Sequence, residues 1–318
     1  MMTGRPDEQT LRTALASAGR APSVHNTQPW RWRIRHGELD LFADRALHLP
    51  HVDPDGRNLM LSCGAALHHA VVALAALGWR ARVHRFPDAA DPTHLARLDL
   101  DPGPASATDL GLAAAIPRRR TDRRRYSGRE VSPADIALMG ARAARGGVSV
   151  RRVESLAGLH KAVDVAVRRH LADDAYLREL TTWSGRHDAL AGVPAANVPP
   201  VDLHAAVPGR VFAGAAPARP DADGQADNAV VLALGTREDD APARLRAGEA
   251  TSIMLLTATA LGLASCPVTE PLEVADTRTT LREDIFDDAA HPQMLLRIGW
   301  LPEGTEPLPP TPRRPLTG

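Results

Sequence analysis

Residues 21–30, Ala-Pro-Ser-Val-His-Asn-Thr-Gln-Pro-Trp, form a segment bracketed by two prolines. Pro22 and Pro29 restrict the backbone at either end. The hydroxyl and carboxamide groups between them can donate and accept hydrogen bonds. Residues 30–34, Trp-Arg-Trp-Arg-Ile, alternate between apolar and charged, which predicts a strand with one buried face. The segment is therefore a turn that leads into a sheet, and it serves either as a plain structural turn or as a ligand-binding loop.

Apolar periodicity and turn residues divide the rest of the first hundred residues into helices and strands. A helix is predicted over 6–19, and a second, almost wholly apolar helix over 58–77, ended by Gly78. The strands predicted here are 30–34, 39–42, 80–85 and 95–100. Residues 101–109 are rich in Pro, Ala, Asp and Ser, which predicts a linker.

The second part of the chain opens with a basic run at 118–125, Arg-Arg-Arg-Thr-Asp-Arg-Arg-Arg. Ser132 and Pro133 then predict a helix start, since serine caps and proline fits the first turn. Further helices are predicted at 154–182 and 249–261, and strands at 230–234 and 294–298. Residues 185–227 show no period and recurrent prolines, which indicates either disorder or a lid over a site.

Two segments repeat each other. Residues 64–78 and 248–262 match in length and apolar pattern, and both end in Ala-Leu-Gly. Each predicts a long helix that is buried on nearly all sides. From the helices alone two interpretations stay open, namely two unrelated alanine- and leucine-rich core helices or an internal duplication.

The composition limits the classes of partner. The 318 residues include 38 basic and 38 acidic side chains, and this zero net charge argues against nucleic acid as the main partner. Two distant cysteines, Cys63 and Cys266, suggest a reducing compartment. The N-terminal residues lack an apolar signal core, and no apolar run reaches about eighteen residues. We therefore expect a cytoplasmic protein without a membrane partner.

Metal and nucleotide motifs are absent from the sequence. It contains no His-Glu-x-x-His, no paired Cys-x-x-Cys, no Gly-x-Gly-x-x-Gly and no phosphate-loop motif. His68 and His69 are adjacent on a predicted helix, where neighbouring side chains point to different faces. We therefore expect no metal site.

Residues 21–30 closely resemble the Ala-Pro-Ser-x-x-Asn-x-Gln-Pro-Trp loop of the FMN-dependent nitroreductase family. The whole chain resembles the two-halved actinobacterial branch of that family, typified by the mycobacterial Acg proteins. This implies an α+β, nitroreductase-like fold with two pseudo-symmetric halves, each with a central mixed sheet. It assigns 1–110 to a degenerate half and 111–318 to a fuller half with a lid-like insert at about 185–227. A single chain would thus imitate the family's homodimer, and further self-association is left open.

The resemblance also implies the site of one FMN. In the family this loop crosses the subunit interface onto the flavin of the other subunit. Here the first half would therefore contribute the loop to a flavin that is seated on the second half. The residues so implied are Pro22, Ser23, Asn26 and Gln28.

The basic run supplies the second part of the implied site. Residues 119–123, Arg-Arg-Thr-Asp-Arg, resemble the family's Arg-x-Ser-x-Arg/Lys segment, which reaches the flavin phosphate and pyrimidine edge. Guanidinium groups pair with phosphate bidentately, which suits this role. The implied ligands are Arg119, Arg120, Thr121 and Arg123. A solvated basic surface loop is the alternative.

Two shorter matches complete the site. Residues 263–270, Leu-Ala-Ser-Cys-Pro-Val-Thr-Glu, follow the second repeat helix, where the family places backbone N–H groups beside flavin N5. This implies contacts from Pro267, Val268 and Thr269, although Thr269-Glu270 departs from a frequent Glu-Gly pair. Residues 312–316 resemble a tail element that touches phosphate, which implies Arg313 and Arg314. The alternatives are a simple helix-to-strand connection and a frayed tail.

Three functions are compatible with these residues. The first is an oxidoreductase that transfers hydride from NAD(P)H through the flavin to a nitro, quinone or related acceptor. In such enzymes the cofactor carries the chemistry, so no acid or base residue is named. The second is FMN storage or sequestration beneath a lid at 185–227. The third is a regulatory or stress protein that senses redox state through its flavin.

Overall fold

The computed structural model describes residues 4–35, 37–186, 190–194, 197 and 227–316. The helices are α1 (Glu8–Ala18), α2 (Arg57–Ala76), α3 (Ala107–Ala115), α4 (Pro133–Ala144), α5 (Leu156–Leu171), α6 (Asp174–Trp183), α7 (Ala241–Ala260), α8 (Glu270–Glu273) and α9 (Ala275–Phe286). The strands are β1 (Trp30–Arg35), β2 (Glu38–Ala43), β3 (Trp79–Arg85), β4 (His94–Pro102), β5 (Ser149–Arg152), β6 (Ser184–Arg186), β7 (Val193–Pro194), β8 (Val230–Thr236), β9 (Ala264–Val268) and β10 (His291–Gly299). Most of the insert predicted at 185–227 lies outside the described residues.

Two four-stranded sheets form the frame of the molecule. The first has the order β1-β2-β4-β3 and the second β5-β8-β10-β9. Every pairing within them is antiparallel, so the predicted mixed sheets were wrong in this respect. The reason is that β4 lies between β2 and β3, and β10 lies between β8 and β9, so the strands on either side of α2 and of α7 are not neighbours. The α+β class is confirmed.

The two sheets are built in the same way around one long helix each. In both, two strands precede the helix and two follow it, and the two strands after the helix pair with each other. Helices α2 and α7 are each 20 residues long and lie 184 positions apart in the sequence. The second unit differs by the elements α5, α6, β6 and β7, which are inserted between β5 and β8.

Helices α2 and α7 pack against each other through their glycines. A Cβ atom added to Gly64 would overlap the carbonyl oxygen of Leu245, and one added to Gly248 would overlap that of Leu61. Gly248 lies 184 residues after Gly64, and Leu245 lies 184 residues after Leu61, so the two contacts involve equivalent positions. Only glycine permits so close an approach of two helix backbones. By length and composition α2 could cross a membrane, but 78% of its apolar window is buried inside the structure, as in a core helix.

Local capping decided several element boundaries that the sequence prediction missed. The predicted linker 101–109 is shorter, because Ser106 and Asp109 form a capping box that starts α3. The helical stretch predicted over 154–182 contains two helices, α5 and α6, and the second begins where the Asp173 side chain accepts hydrogen bonds from two N–H groups of α6. The predicted boundary between halves at 110/111 falls within α3, which packs on both α2 and α7. Strands β5 and β9 and helix α9 were not predicted as elements.

The start of α2 is joined to the second sheet by a buried polar network. Asp53 accepts hydrogen bonds from the backbone N–H groups of Asn58 and Leu59, both at 2.8 Å. Arg57 is fully buried and donates to the Gln293 carbonyl oxygen on β10. Burial raises the pKa of Asp53 to about 6 and lowers the pKa of Arg57 to about 10. The contact between the halves thus includes two buried ionisable side chains, Asp53 and Arg57.

The helix crossing predicts a large cost for a single methyl group. Gly64→Ala and Gly248→Ala should each lower the free energy of unfolding by about 1–3 kcal/mol or more, because the helices must separate. Gly111→Ala is the matched control, since a Cβ on this α3 glycine meets nothing within 4 Å. It should raise stability by roughly 0.5–1 kcal/mol. Urea denaturation measures the stability of all three variants. An equal change in the unfolding free energy of all three would contradict the close contact of the helices.

The buried Asp53 predicts a pH-dependent contribution to stability. Its pKa is raised from 3.8 to about 6, so the folded state holds the proton more tightly than the unfolded state. The contribution is fully present below about pH 4 and is lost as the pH rises through about 6. Across that window, the unfolding free energy of the wild type should fall relative to Asp53→Asn by up to roughly 3 kcal/mol. Urea titrations at several pH values test this. A difference in unfolding free energy between the two proteins that does not change with pH would refute it.

Candidate functional site

The loop at 21–29 has an unusual backbone. It contains a short 3-10 turn, Val24–Asn26, and then joins β1. His25, Asn26 and Gln28 have positive φ angles of 43°, 55° and 56°. Such left-handed backbones in non-glycine residues cost on the order of 1–3 kcal/mol each and cluster at functional sites. The surrounding structure therefore determines this conformation against the local preference of the residues.

Two hydroxyl groups hold the loop in place. Ser23 Oγ accepts a hydrogen bond from the Gln28 N–H at 3.0 Å. Ser62 Oγ, on α2, accepts one from the Val24 N–H at 3.0 Å and donates to the Asn58 carbonyl oxygen. The predicted ligand Ser23 is thus part of the turn itself.

The carboxamides of Asn26 and Gln28 join the loop to two segments from the second half of the chain. The hydrogen bonds are Asn26 Nδ2 to Gly192 O (3.1 Å) and Pro312 O (3.2 Å), Gln28 Nε2 to Leu190 O (2.9 Å), and Arg314 N to Gln28 Oε1 (2.9 Å). Both side chains are buried. The predicted ligand Arg314 reaches the loop through its backbone, while its side chain is exposed.

Four arginines gather beside the loop, and we call Arg20, Arg119, Arg120 and Arg313 the arginine cluster. Arg119 Nη2 and Arg313 Nη2 both donate to the Arg20 carbonyl oxygen, at 3.5 and 3.1 Å. Arg120 Nε donates to the carbonyl oxygen of Leu308 at 3.0 Å. The structure therefore brings the first half, the basic run and the tail together at one point.

The positive charge of the arginine cluster is not compensated by the part of the chain that the structure describes. None of its four guanidinium groups forms an ion pair with a described carboxylate. Burial lowers the pKa of Arg119 to about 9, and repulsion from Arg313 adds to this. Burial likewise lowers the pKa of Arg313 to about 10. Within the described residues, Nε and Nη1 of Arg119 and Nε of Arg313 are buried without a hydrogen-bond acceptor.

The rest of the basic run turns away from the arginine cluster. Arg124 forms an ion pair with Asp122 at 2.6 Å, and Asp122 N donates to the Ser265 carbonyl oxygen on β9. The positive charge of Arg123 acts on Cys266, also on β9. Thr121 is half-buried. The run thus spans the distance from the tail to the end of β9.

The end of β9 carries the remaining predicted residues. Pro267 and Val268 pair with Leu296 and Leu295 of β10, and Thr269 precedes the short helix α8. Glu270 is buried, and its Oε1 lies 3.1 Å from Nδ1 of His170 on α5. Glu270 is therefore turned toward the protein rather than left as a bulky free side chain.

Three residues at this site escaped the sequence analysis. His170 stacks on the ring of Tyr176, from α6, with centroids 4.0 Å apart and planes 8° apart. Arg20, one residue before the loop, belongs to the arginine cluster. A basic residue next to the loop was a usable signal for Arg20. His170 and Tyr176 lie on different helices from Glu270, so no sequence spacing connects them.

His68 and His69 meet at one hydroxyl despite their adjacent positions. The Nδ1 atoms of His68 and His69 lie 2.7 and 2.8 Å from Ser252 Oγ on α7. Burial lowers the pKa of His68 to about 4. Burial also lowers the pKa of His69 well below its ordinary value, and the positive charge of Arg119 adds to this effect. Among the described residues, no group of three or more His, Cys, Asp or Glu side chains is placed to hold a metal ion.

Two surface cavities lie away from the predicted residues. One of about 400 Å³ is lined by residues of β5, α5 and α9, including Arg152 and Asp284. The other, of about 290 Å³, is lined by His51 and by residues of α6. Neither includes a residue of the loop, the arginine cluster or the end of β9.

The geometry defines an α+β protein with two like sheets around a helix pair, and with an arginine cluster that has no described counter-ion. No family model matches the sequence. The chain is 58% identical over 318 residues to "Putative NAD(P)H nitroreductase Rv3131" of Mycobacterium tuberculosis, covering 100% of this chain and 92% of the relative. It is 36% identical over 313 residues to "Putative NAD(P)H nitroreductase acg" of the same organism, covering 96% and 93%.

The chain therefore belongs to the nitroreductase-like family, in its Acg-like branch. Among solved structures it is similar to a nitroreductase with bound FMN from Bacteroides fragilis, at 15% identity and a TM-score of 0.40, over 61% of this chain and 90% of that one. It is also similar to the FMN- and NADPH-dependent nitroreductase NfnB from Sphigopyxis sp. strain HMH, at 19% identity and a TM-score of 0.37, over 65% of this chain and 94% of that one.

The carboxamide contacts predict a local change in hydrogen exchange. In Gln28→Ala the Arg314 N–H loses its side-chain acceptor and should exchange with solvent at least several-fold faster. Gln9→Ala, which removes an exposed amide on α1, is the control and should leave this rate unchanged. Exchange measured by NMR or mass spectrometry tests the prediction. Equal protection of Arg314 in both variants would show that the tail is held by other contacts.

Proposed function

We propose that the chain binds one FMN between its two halves, with the phosphate at the arginine cluster. The observation that carries this proposal is the set of buried N–H groups on Arg119 and Arg313 that lack a described acceptor. A phosphate offers several acceptor oxygens and pairs bidentately with guanidinium groups. An unpaired buried charge costs several kcal/mol, which a bound phosphate would offset. The residues present thus fit the anionic part of this cofactor.

The proposed ligands come from four segments of the chain. They are Pro22, Ser23, Asn26 and Gln28 of the loop, Arg119, Arg120, Thr121 and Arg123 of the basic run, Pro267, Val268 and Thr269 at the end of β9, and Arg313 and Arg314 of the tail. Since the side chains of Ser23, Asn26 and Gln28 have protein partners, we propose that the loop contributes mainly its backbone and its shape. Arg123, close enough to β9 to act on Cys266, would be the cation at the pyrimidine edge.

We infer an oxidoreductase that uses NAD(P)H to reduce a nitro, quinone or related acceptor. The family of the chain and the names of its relatives support this. The bound flavin would supply the hydride-transfer chemistry. The chain itself would hold the phosphate, orient the ring between the loop and the end of β9, and limit the access of water.

A second candidate is FMN storage without catalysis. It is supported by the hydrogen bonds from Gln28 to Leu190 and from Asn26 to Gly192, which tie the beginning of the predicted insert to the loop. A segment attached there would stand over the ring and obstruct a nicotinamide. Mixing the FMN-loaded protein with NADPH in a stopped-flow instrument separates the two candidates. Rapid loss of the oxidised flavin absorbance supports the enzyme, and its persistence supports storage.

We also propose that the chain is a pseudo-dimer that arose by internal duplication, with halves at 1–110 and 111–318. The support is the shared strand order and the constant 184-residue offset between α2 and α7. The offset extends to the pair His68 and Ser252, which hydrogen bond to each other. Equivalent positions that meet in this way lie at a pseudo-twofold axis.

The phosphate site predicts opposite effects of one substitution on stability and on binding. Arg119→Met should raise the unfolding free energy of the cofactor-free protein, because it removes a buried charge without a described counter-ion. It should also weaken FMN binding by roughly 10-fold or more, and riboflavin binding much less. Arg313→Gln should likewise weaken the binding of FMN more than the binding of riboflavin.

Arg118→Gln serves as the control for both measurements. This arginine belongs to the same basic run, but its side chain is exposed. Binding is followed by quenching of flavin fluorescence and stability by urea denaturation. Equal losses for FMN and riboflavin in Arg119→Met would place the phosphate elsewhere, and a wild-type protein that takes up neither flavin would end the proposal.

A further inference from the structure

A buried imidazole–carboxylate pair lies at the edge of the proposed flavin pocket. His170 and Glu270 are 8% and 6% exposed, and their Nδ1 and Oε1 atoms are 3.1 Å apart. The imidazole ring lies flat on the ring of Tyr176 at 4.0 Å. Three elements, α5, α6 and α8, thus fix the position and the plane of one histidine. A buried histidine that is held by both a carboxylate and a stacked ring suggests a role beyond packing.

We assign to His170 the tautomer in which Nδ1 carries the hydrogen. An ionised carboxylate only accepts hydrogen bonds, so in this arrangement Nδ1 donates to Oε1 of Glu270. The other nitrogen, Nε2, is then the one that takes up and releases a proton. A carboxylate in this arrangement stabilises the protonated ring and fixes its orientation. About one-tenth of the imidazole side chain is exposed, so proton exchange with water is open to it.

The pair connects the two walls of the proposed pocket. Glu270 follows directly on Pro267–Thr269, the segment proposed to lie beside the flavin ring. Tyr176 belongs to an apolar cluster that includes Val193 and has Val24 of the loop packed against it. Glu270 thus connects His170 to the end of β9, and Tyr176 connects it to the apolar cluster against which Val24 of the loop packs.

We infer that His170, oriented by Glu270, is the proton donor to the acceptor in the reaction proposed above, and the inference rests on that proposed function. Reduction of a quinone to a hydroquinone takes one hydride and one proton. NAD(P)H supplies the hydride by way of the bound flavin. The proton moves from Nε2 of protonated His170 to the quinone oxygen, and Nε2 regains a proton from water. Glu270 is a positioning residue and keeps its hydrogen bond to Nδ1 throughout.

Other ionisable groups lie near the pair, and their charges contribute to the pH dependence of any reaction at His170. They are Arg169 on α5, Asp173 and Tyr176 at the start of α6, Glu273 on α8, Asp276 on α9 and His51 from the first half. Arg169 is compensated by Asp276 at 2.8 Å. Backbone hydrogen bonds lower the pKa of Asp173, and the positive charges of His51 and His170 add to this effect.

The test separates the two half-reactions in His170→Gln and Glu270→Gln. Both variants should bind FMN and accept hydride from NADPH within about two-fold of the wild type. Reoxidation by a quinone should slow on the order of 100-fold in His170→Gln and lose its pH dependence. Glu270→Gln should slow it by a smaller factor, on the order of 10-fold. His84→Gln is the control, because His84 pairs with Asp99 at 2.8 Å on the exposed part of the first sheet.

A second readout needs no cofactor. Histidine NMR signals of the flavin-free protein give the titration of His170, which is identified by its absence in His170→Gln. Removing the carboxylate in Glu270→Gln should move the midpoint of that titration to lower pH. An unchanged midpoint would overturn the pairing even if Glu270→Gln proved catalytically impaired.

The possible failures are distinguishable. If the wild type binds no FMN, or if NADPH does not bleach it, the proposed function fails before an acceptor is added, and the proton-donor role falls with it. If bleaching is normal but quinone reoxidation is as fast in His170→Gln as in the wild type, only the role of His170 is wrong. Equal slowing of both half-reactions would indicate a structural role and would also overturn the inference.

Discussion

The whole structure depends on the backbone contact between α2 and α7 at Gly64 and Gly248. Any side chain at these two positions would overlap a carbonyl oxygen of the other helix. The contact therefore fixes the position of one long helix against the other, and each helix carries its own four-stranded sheet. Helix α1 packs on α2, and α3 packs on both α2 and α7, so Arg20 and Arg119 follow helices that rest on this pair. A core held by a backbone contact has little freedom to shift, because close-packed interiors transmit displacements.

Several unfavourable features of the molecule lie on the segments proposed to form the site. They are the left-handed backbones of His25, Asn26 and Gln28, the arginine cluster without described counter-ions, and the buried pair of His170 and Glu270. Each of these features costs free energy in the isolated protein. Proteins retain such features where a ligand or a reaction uses them, and well-packed parts of the fold offset the cost. The two clusters around α2 and α7 provide that packing here.

The two units differ in what they supply to this region. The first unit provides the loop with its strained backbone. The second unit provides Arg119, the end of β9 and the tail, and it contains α5 and α6 between β5 and β8. Those inserted helices carry His170 and Tyr176, which border the proposed pocket. Neither unit alone contains the full set of residues, which explains why the halves must stay in contact for the proposed site to exist.

The sequence by itself determined the class of the protein, the family, the long helices and most strands. Periodicity is a local property, and the loop at 21–30 is a continuous motif, so both can be read along the chain. It also indicated that the loop, the basic run and the tail are candidate parts of one cofactor site. It predicted mixed sheets wrongly, because the place of β4 between β2 and β3 is not a local property. Only the tertiary structure decided that Asn26 and Gln28 bond to backbone atoms of the second half, and that Arg20 joins Arg119 and Arg313. It alone placed His170 against Glu270, since contacts between residues 100 positions apart arise from packing and leave no spacing in the sequence.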